Sequence, residues 1–188
     1  MKVWFIRHGE SETNKAGLWT GWLDVELTEK GREEALAVSR TLSGVRFDKI
    51  YSSDLKRAMT TADIAIPGCS YEATPMVREI NVGNIAGKPL GVIIDSNGQP
   101  MNLDGYGSFG GETLSQFKER VKAFMQSLEA ERHENIAVFT HWGVIKTFLE
   151  TVFGIGLPTG KLRGGNCLVA VFEYNGTNWS LHSWINLH

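Results

Sequence analysis

Cysteine is scarce in this chain, with Cys69 and Cys167 the only two in 188 residues, far apart and lacking CxxC or any other ligand spacing. That argues against a disulfide framework and a thiolate metal site, and leads us to expect two ordinary reduced thiols. An excess of one charge is lacking too: 19 Lys and Arg stand against 21 Asp and Glu, a formal net charge of −2. Neither a nucleic-acid backbone nor an anionic membrane would be attracted by bulk charge, so any anion must be held by a local cluster. Long hydrophobic runs are also missing. The opening run "KVWFI" stops at Arg7, too short for a signal-peptide core and far too short to span a bilayer, so a cytoplasmic chain is expected. No internal repeat or low-complexity tract appears.

What is there suits one globule. The length fits the prior of about 100 to 200 residues per domain, and 42% hydrophobic content can supply a sizeable core, so a single domain over 1–188 is expected. Short apolar runs alternate with longer amphipathic ones: "KVWFI", "LTEKGREEALAVSRTL", "FDKIYSS", "LKRAMTTADIAI", then "SYEAT" as a weak strand. This is the β-α-β-α rhythm of an α/β domain. The second half continues with a helix over 113–132, the strand "NIAVFT", the helix "VIKTFLETVF" and two final strands around "LVAVFEY" and "SLHSWINL". Leu114, Phe117, Val121, Phe124 and Leu128 recur at helical spacing, which predicts one face packed on the sheet. Between residues 81 and 111 the pattern dissolves into a stretch dense in Gly, Asn and Pro, read as a long functional loop or cap.

The polar residues that interrupt this pattern collect at one place. In an open parallel sheet, ligands bind outside the carboxyl ends of the strands. Arg7 and His8 follow "KVWFI", His141 follows "NIAVFT", Arg57 opens the helix after "FDKIYSS", and Glu79 stands just beyond "SYEAT". Two arginines and two histidines on one rim can hold a phosphoryl dianion through charge-assisted, bidentate bonds. Imidazole, with a free pKa of about 6.5, is partly neutral near neutral pH and can attack phosphorus. The remaining charges can stabilise the transferring group, and Glu79 can protonate the leaving oxygen and then activate water. Such a set would hydrolyse a phosphomonoester without a metal.

These stretches also resemble a known family. "RHGESETN", "YSSDLKRAMTTA", "REINVG" and "VFTHWGVI", in this order, look like the four signatures of the histidine phosphatase superfamily, the phosphoglycerate mutase-like proteins; "LTEKGREEA" and "GGETLSQFKER" match two further family stretches. The resemblance runs from residue 1 to about 153. It implies a three-layer α/β/α sandwich with a mostly parallel central sheet, and His8 as the residue that becomes phosphohistidine. Arg7, Arg57 and His141 would clamp the phosphoryl oxygens, Asn14 would add a phosphate contact, and Glu79 would be the proton donor. Gly9 would let the backbone approach and fix the His8 ring.

The same resemblance implies a small phosphorylated metabolite as substrate and no cofactor; the charge balance speaks against nucleic acid or membrane as partner, and a homodimer stays open. "THWGVIK" is similar to the corresponding stretch of the family's α-ribazole-phosphate phosphatases, which makes a nucleoside-like phosphate one reading. Where many family phosphatases read "EIDFGEWEG", this chain reads "EINVGNIAG", so the cap contacts differ. The mutases carry "ERHYG" at this place and a longer closing tail. A phosphoglycerate mutase and a non-catalytic phosphate-binding module are the alternatives.

Several residues receive plainer readings. His133, His182 and His188 lack the in-register arginines that accompany His8 and His141 and are read as surface or terminal. Arg78 is read as a surface salt-bridge partner or a wall of the pocket mouth. Glu10 and Glu12 are read as partners of the arginines rather than metal ligands, since no HExxH-like spacing accompanies them. "GYGSFG", residues 105–110, matches GxGxxG but does not follow an apolar strand, so it is read as loop. "GLPTGKL" has the wrong spacing for a P-loop. Trp19 and Trp22 are assigned equally to core packing or a substrate-facing wall.

Overall fold

The structure is a computed structural model and describes residues 1–91, 105–156, 162 and 164–187. Six strands and five helices follow in chain order: β1 (Lys2–Arg7), α1 (Glu12–Lys15), α2 (Glu29–Thr41), β2 (Lys49–Ser53), α3 (Lys56–Ala65), β3 (Glu72–Thr74), α4 (Leu114–Glu129), β4 (Asn135–Thr140), α5 (Trp142–Phe153), β5 (Val169–Tyr174) and β6 (Trp179–Ile185). Three short 3₁₀ turns, Pro75–Val77, Gly83–Ile85 and Gly107–Phe109, complete the described residues. The six strands belong to one sheet in the order β3-β2-β4-β1-β5-β6. The first four are parallel, while β5 runs antiparallel to β1 and β6 antiparallel to β5.

Strand alternation builds the two faces. Val3, Phe5, Ile136, Val138, Ala170 and Phe172 point to one side, where they meet Phe117, Val121, Phe124 and Leu128 of α4 and Val144, Ile145 and Phe148 of α5. Ile6, Ala137, Phe139, Val169 and Val171 point to the other, against Val38 of α2 and Ala62 and Ala65 of α3. The result is helix, sheet, helix: an α/β domain of three layers with β1 and β4 buried at its centre. Among the described residues, no helix is long and apolar enough to cross a membrane.

Local signals start and stop the helices. Thr28 caps α2 by accepting the Gly31 N–H at 3.0 Å, and Thr113 with Gln116 forms a capping box at α4. Gly154, at φ 65°, closes α5 in the left-handed conformation that a side chain resists. Leu114 departs from the sequence reading. It is 38% exposed, because α4 begins at this residue, beside the bridge between Gly105 and Thr113, and its packed face starts at Phe117. Much of the 81–111 stretch, from 92 to 104, lies outside the described residues; the rest holds two of the 3₁₀ turns.

Candidate active site

The centre of the rim is made by β1 running out between its two neighbours. Arg7 is the last residue of the strand, its N–H bonded to the Leu168 carbonyl at 2.9 Å, and the His8 N–H bonds to the Thr140 carbonyl at 3.0 Å. The Cys167 N–H in turn donates to the His8 carbonyl at 3.2 Å. His8 is thus held from both sides by backbone before its side chain is considered.

Gly9 follows, and the structure supplies the contact expected of it. A Cβ here would collide with the Gly31 carbonyl, and one on Gly31 with the Glu10 carbonyl, so the turn after β1 lies main chain against main chain on the first turn of α2. The Gly9 N–H donates to Thr61 Oγ1 at 3.1 Å. Its carbonyl sits 2.7 Å from His8 Nδ1. With Nδ1–H as donor to that carbonyl, Nε2 carries the lone pair. Nε2 faces the Arg57 Nε–H at 3.3 Å.

Arg57 is buried and tethered, its two terminal nitrogens donating to the Leu23 and Gly21 carbonyls at 2.8 Å each. Arg7 donates one terminal nitrogen to the Gly164 carbonyl. His141 is the residue before α5; its ring lies 5.1 Å from that of His8, and its Nε2 is 2.8 Å from Ser53 Oγ at the end of β2. Glu79 closes the group, its Oε1 accepting the Ile80 N–H at 2.9 Å and its Oε2 the Gly143 N–H at 3.1 Å, in the first turn of α5. Among the described residues, two buried side-chain nitrogens have no hydrogen-bond partner: Arg7 Nε and His141 Nδ1.

Burial governs the charges. Both histidines are held well below the ordinary imidazole pKa, first by loss of water and then by the Arg57 and Arg7 cations, with His8 also opposing His141. Both are therefore neutral at neutral pH. Desolvation also lowers Arg57, to about 10, with Glu79 the leading group that opposes the fall; Arg7 is lowered for the same reason. Both stay charged at neutral pH. The rim accordingly offers two cations and two neutral imidazoles.

The structure brings Arg7, His8, Arg57, Glu79 and His141 together as the sequence pattern predicts. Asn14 lies on α1, where its side-chain oxygen accepts the Ser11 N–H at 3.2 Å as part of a capping box; the amide NH₂ keeps its donors. Arg78 meets the first of its readings, forming a two-bond ion pair with Asp54 at 2.6 Å, and it also stacks over the Trp22 ring at 4.7 Å. Trp22 donates its indole N–H to the Glu79 carbonyl at 2.7 Å, and Trp19 packs edge-on to Tyr106, ring centres 5.6 Å apart. Glu10 is taken up by Thr28 and Lys30, at 2.9 and 3.0 Å, rather than by the arginines, and Glu12 sits exposed in the first turn of α1. His133 and His182 lie near Glu131 and Glu173 at 3.3 and 3.8 Å; His188 and Lys161 lie outside the described residues. "GYGSFG" forms a 3₁₀ turn instead of a dinucleotide loop. Both cysteines are free thiols.

Ser53, Thr61 and Arg120 were not singled out from the sequence. Ser53 and Thr61 lie within "YSSDLKRAMTTA" and Arg120 within "GGETLSQFKER", so the motifs contain them. Their partners, though, lie 88, 52 and about 40 residues away in the chain, and spacing alone does not reveal such contacts.

The geometry is that of a cationic rim on an α/β sheet, arranged around a neutral, backbone-fixed histidine. The sequence model of the histidine phosphatase superfamily (branch 1) matches residues 3–187, and the chain belongs to that superfamily. A protein of Escherichia coli K-12 described as an α-ribazole-5′-P phosphatase superposes with a TM-score of 0.81 at 25% identity, over 98% of this chain and 95% of that one. The phosphoserine phosphatase of Entamoeba histolytica, solved with 3-phosphoglyceric acid, gives 0.80 at 27% identity, over 100% and 98%. Sequence similarity also reaches the 2,3-bisphosphoglycerate-dependent phosphoglycerate mutase of Streptococcus thermophilus, 41% identical over 95 residues, which is 47% of this chain and 41% of the mutase.

Proposed function

We propose that this protein is a metal-independent hydrolase of small phosphomonoesters that works through a phosphohistidine on His8. One observation carries the reading: the two buried nitrogens without partners, Arg7 Nε and His141 Nδ1, belong to residues beside the unprotonated Nε2 of a neutral His8. Buried polar atoms are almost always satisfied, so two orphans flanking one nucleophile fit an anion that brings its own acceptors.

A phosphomonoester dianion entering here takes N–H bonds from Arg7, Arg57 and His141. His8 Nε2 attacks phosphorus and the P–O ester bond breaks, while Glu79 in its acid form gives a proton to the departing oxygen. The Nδ1–H bond to the Gly9 carbonyl supports the positive ring that this step creates. Water then attacks phosphorus, gives its proton to the Glu79 carboxylate, and the N–P bond breaks to release inorganic phosphate and neutral His8. Asn14 contributes its amide donors to the phosphate.

The test is phosphate release from p-nitrophenyl phosphate, phosphoserine, nucleotides, α-ribazole phosphate and 3-phosphoglycerate in excess chelator. Chelator-insensitive release and a phosphorylated protein after rapid quenching, both lost in His8→Ala, are the expected results; a His8→Ala variant that retains the wild-type rate overturns the covalent route. The 41% identity to a mutase over 95 residues favours a second reading, phosphoglycerate mutase activity. Conversion of 3-phosphoglycerate only when a bisphosphate is added, with no release from any ester, would establish it instead.

A further inference from the structure

Arg120 lies on α4, outside the phosphate rim, and its guanidinium is divided between the loop that carries Glu79 and Glu112. One terminal nitrogen reaches the carbonyls of Pro75, Met76 and Arg78 at 3.3, 2.9 and 2.9 Å, and the other reaches the Glu79 carbonyl at 3.2 Å. Nε and the second terminal nitrogen also form a fork with Glu112, at 2.9 and 2.8 Å. Glu112 continues the chain of bonds: its carboxylate accepts the Asn81 N–H at 2.8 Å, and its own N–H donates to the Asn81 carbonyl at 2.9 Å. Both side chains are largely buried, at 18% and 15% exposure.

Four main-chain carbonyls from a single five-residue stretch thus converge on one cation. Such a stretch has no ladder to satisfy its carbonyls, and a planar donor fork fixes their directions as a lysine point charge does not. The Glu79 carboxylate is meanwhile held by two backbone N–H groups, that of Ile80 beside it and that of Gly143 in α5, so its position depends on how the loop is held against α5.

We infer that Arg120, braced by Glu112, is the positioning residue for Glu79: it fixes the loop so that the carboxyl group meets the leaving oxygen. Because Glu112 lies where the chain returns from the 81–111 stretch into α4, the same pair ties that stretch to the acid. The inference rests on the proposed role of Glu79 as proton donor and goes beyond it.

The experiment compares kcat/KM for p-nitrophenyl phosphate, whose leaving group departs without a proton, with that for an alkyl phosphate such as glycerol phosphate, whose leaving group needs one. Misplacing a catalytic group by about 1 Å costs on the order of 100-fold. Arg120→Gln should lose about that much on the alkyl ester and little on the aryl ester, and Arg120→Lys should restore only part of the loss. Adding Arg120→Gln to Glu79→Gln should cost nothing further, since the positioned group is already gone. Equal losses on both esters, or full additivity in the double variant, would overturn the inference while leaving the role of Glu79 standing. Should Arg120→Gln fail to fold, by circular dichroism and thermal unfolding, Glu112→Gln is read by the same two esters and the same criteria. A wild-type protein that hydrolyses neither ester overturns the proposed function itself, and this inference with it.

Discussion

Acidification offers a quantitative test of the buried histidine pair. In the folded protein His8 and His141 are neutral and resist protonation, because water is excluded and Arg57 and Arg7 stand nearby. In the unfolded chain both return to a pKa of about 6.5. Below that value the unfolded state binds more protons than the folded one, so stability falls as pH falls. Each ring contributes a slope of about 1.4 kcal/mol per pH unit once well below pH 6.5. A ring that takes up no proton in the folded protein contributes at most about 2 kcal/mol between pH 7.5 and 5, so about 4 kcal/mol is the ceiling for the pair, against a typical 5–15 kcal/mol. The depressed carboxylates Glu10 and Asp48 lose their support mainly below this window. Urea unfolding at half-unit pH steps measures the effect, and His141→Asn should remove about half of the slope. A flat stability from pH 7.5 to 5, or a slope unchanged by His141→Asn, would refute the assignment of two neutral buried imidazoles.

Three further outcomes follow from the packing and the site. Gly9→Ala drives a methyl group into the Gly31 carbonyl and should cost about 3 kcal/mol, within the range for overpacked sites, read as a lowered thermal midpoint together with lost turnover; a neutral result would mean that the two backbones are not in contact. Phe148→Ala empties the space shared with Phe5 and Phe172, whose ring centres lie 4.6 and 4.7 Å away, and should cost about 3–5 kcal/mol in denaturant unfolding. Glu79→Gln should slow esters with poor leaving groups by about 10²–10⁴-fold and p-nitrophenyl phosphate far less; equal losses on both would count against its role as acid.

The strands most central to the sheet were the most legible. "KVWFI" and "NIAVFT" read as buried strands because both faces are covered, and the polar residues that end them, Arg7, His8 and His141, mark the rim by interrupting an apolar run. Helix α4 declared itself through its stripe from Phe117 to Leu128, while Leu114 fell on the same period without being buried. Periodicity reports direction from the axis and not how far the neighbouring layer extends. Less legible were contacts that depend on chain crossing: the Ser53 hydroxyl on His141, the Gly9 turn on Gly31, and the carbonyls gathered by Arg120. Cys167 shows the limit most plainly. It adopts φ 56°, a conformation that favours glycine, and nothing in its neighbours' identities announces this; in the fold it sits where its N–H meets the His8 carbonyl.

The reversal of direction at β5 has a consequence for how such a protein can diversify. A fifth parallel strand would enter the sheet at the far edge and leave the rim to exit loops alone. Because β5 is antiparallel, the chain arrives at the rim before entering the sheet, and on the way it supplies the Gly164 carbonyl to Arg7, the Leu168 carbonyl to the Arg7 N–H and the Cys167 N–H to His8. A change of length between α5 and β5 therefore bears directly on the backbone contacts that hold Arg7 and His8, from outside the motifs that contain them. Among the described residues, changes of length at the opposite edge, where β2 and β3 begin, lie away from Arg7 and His8.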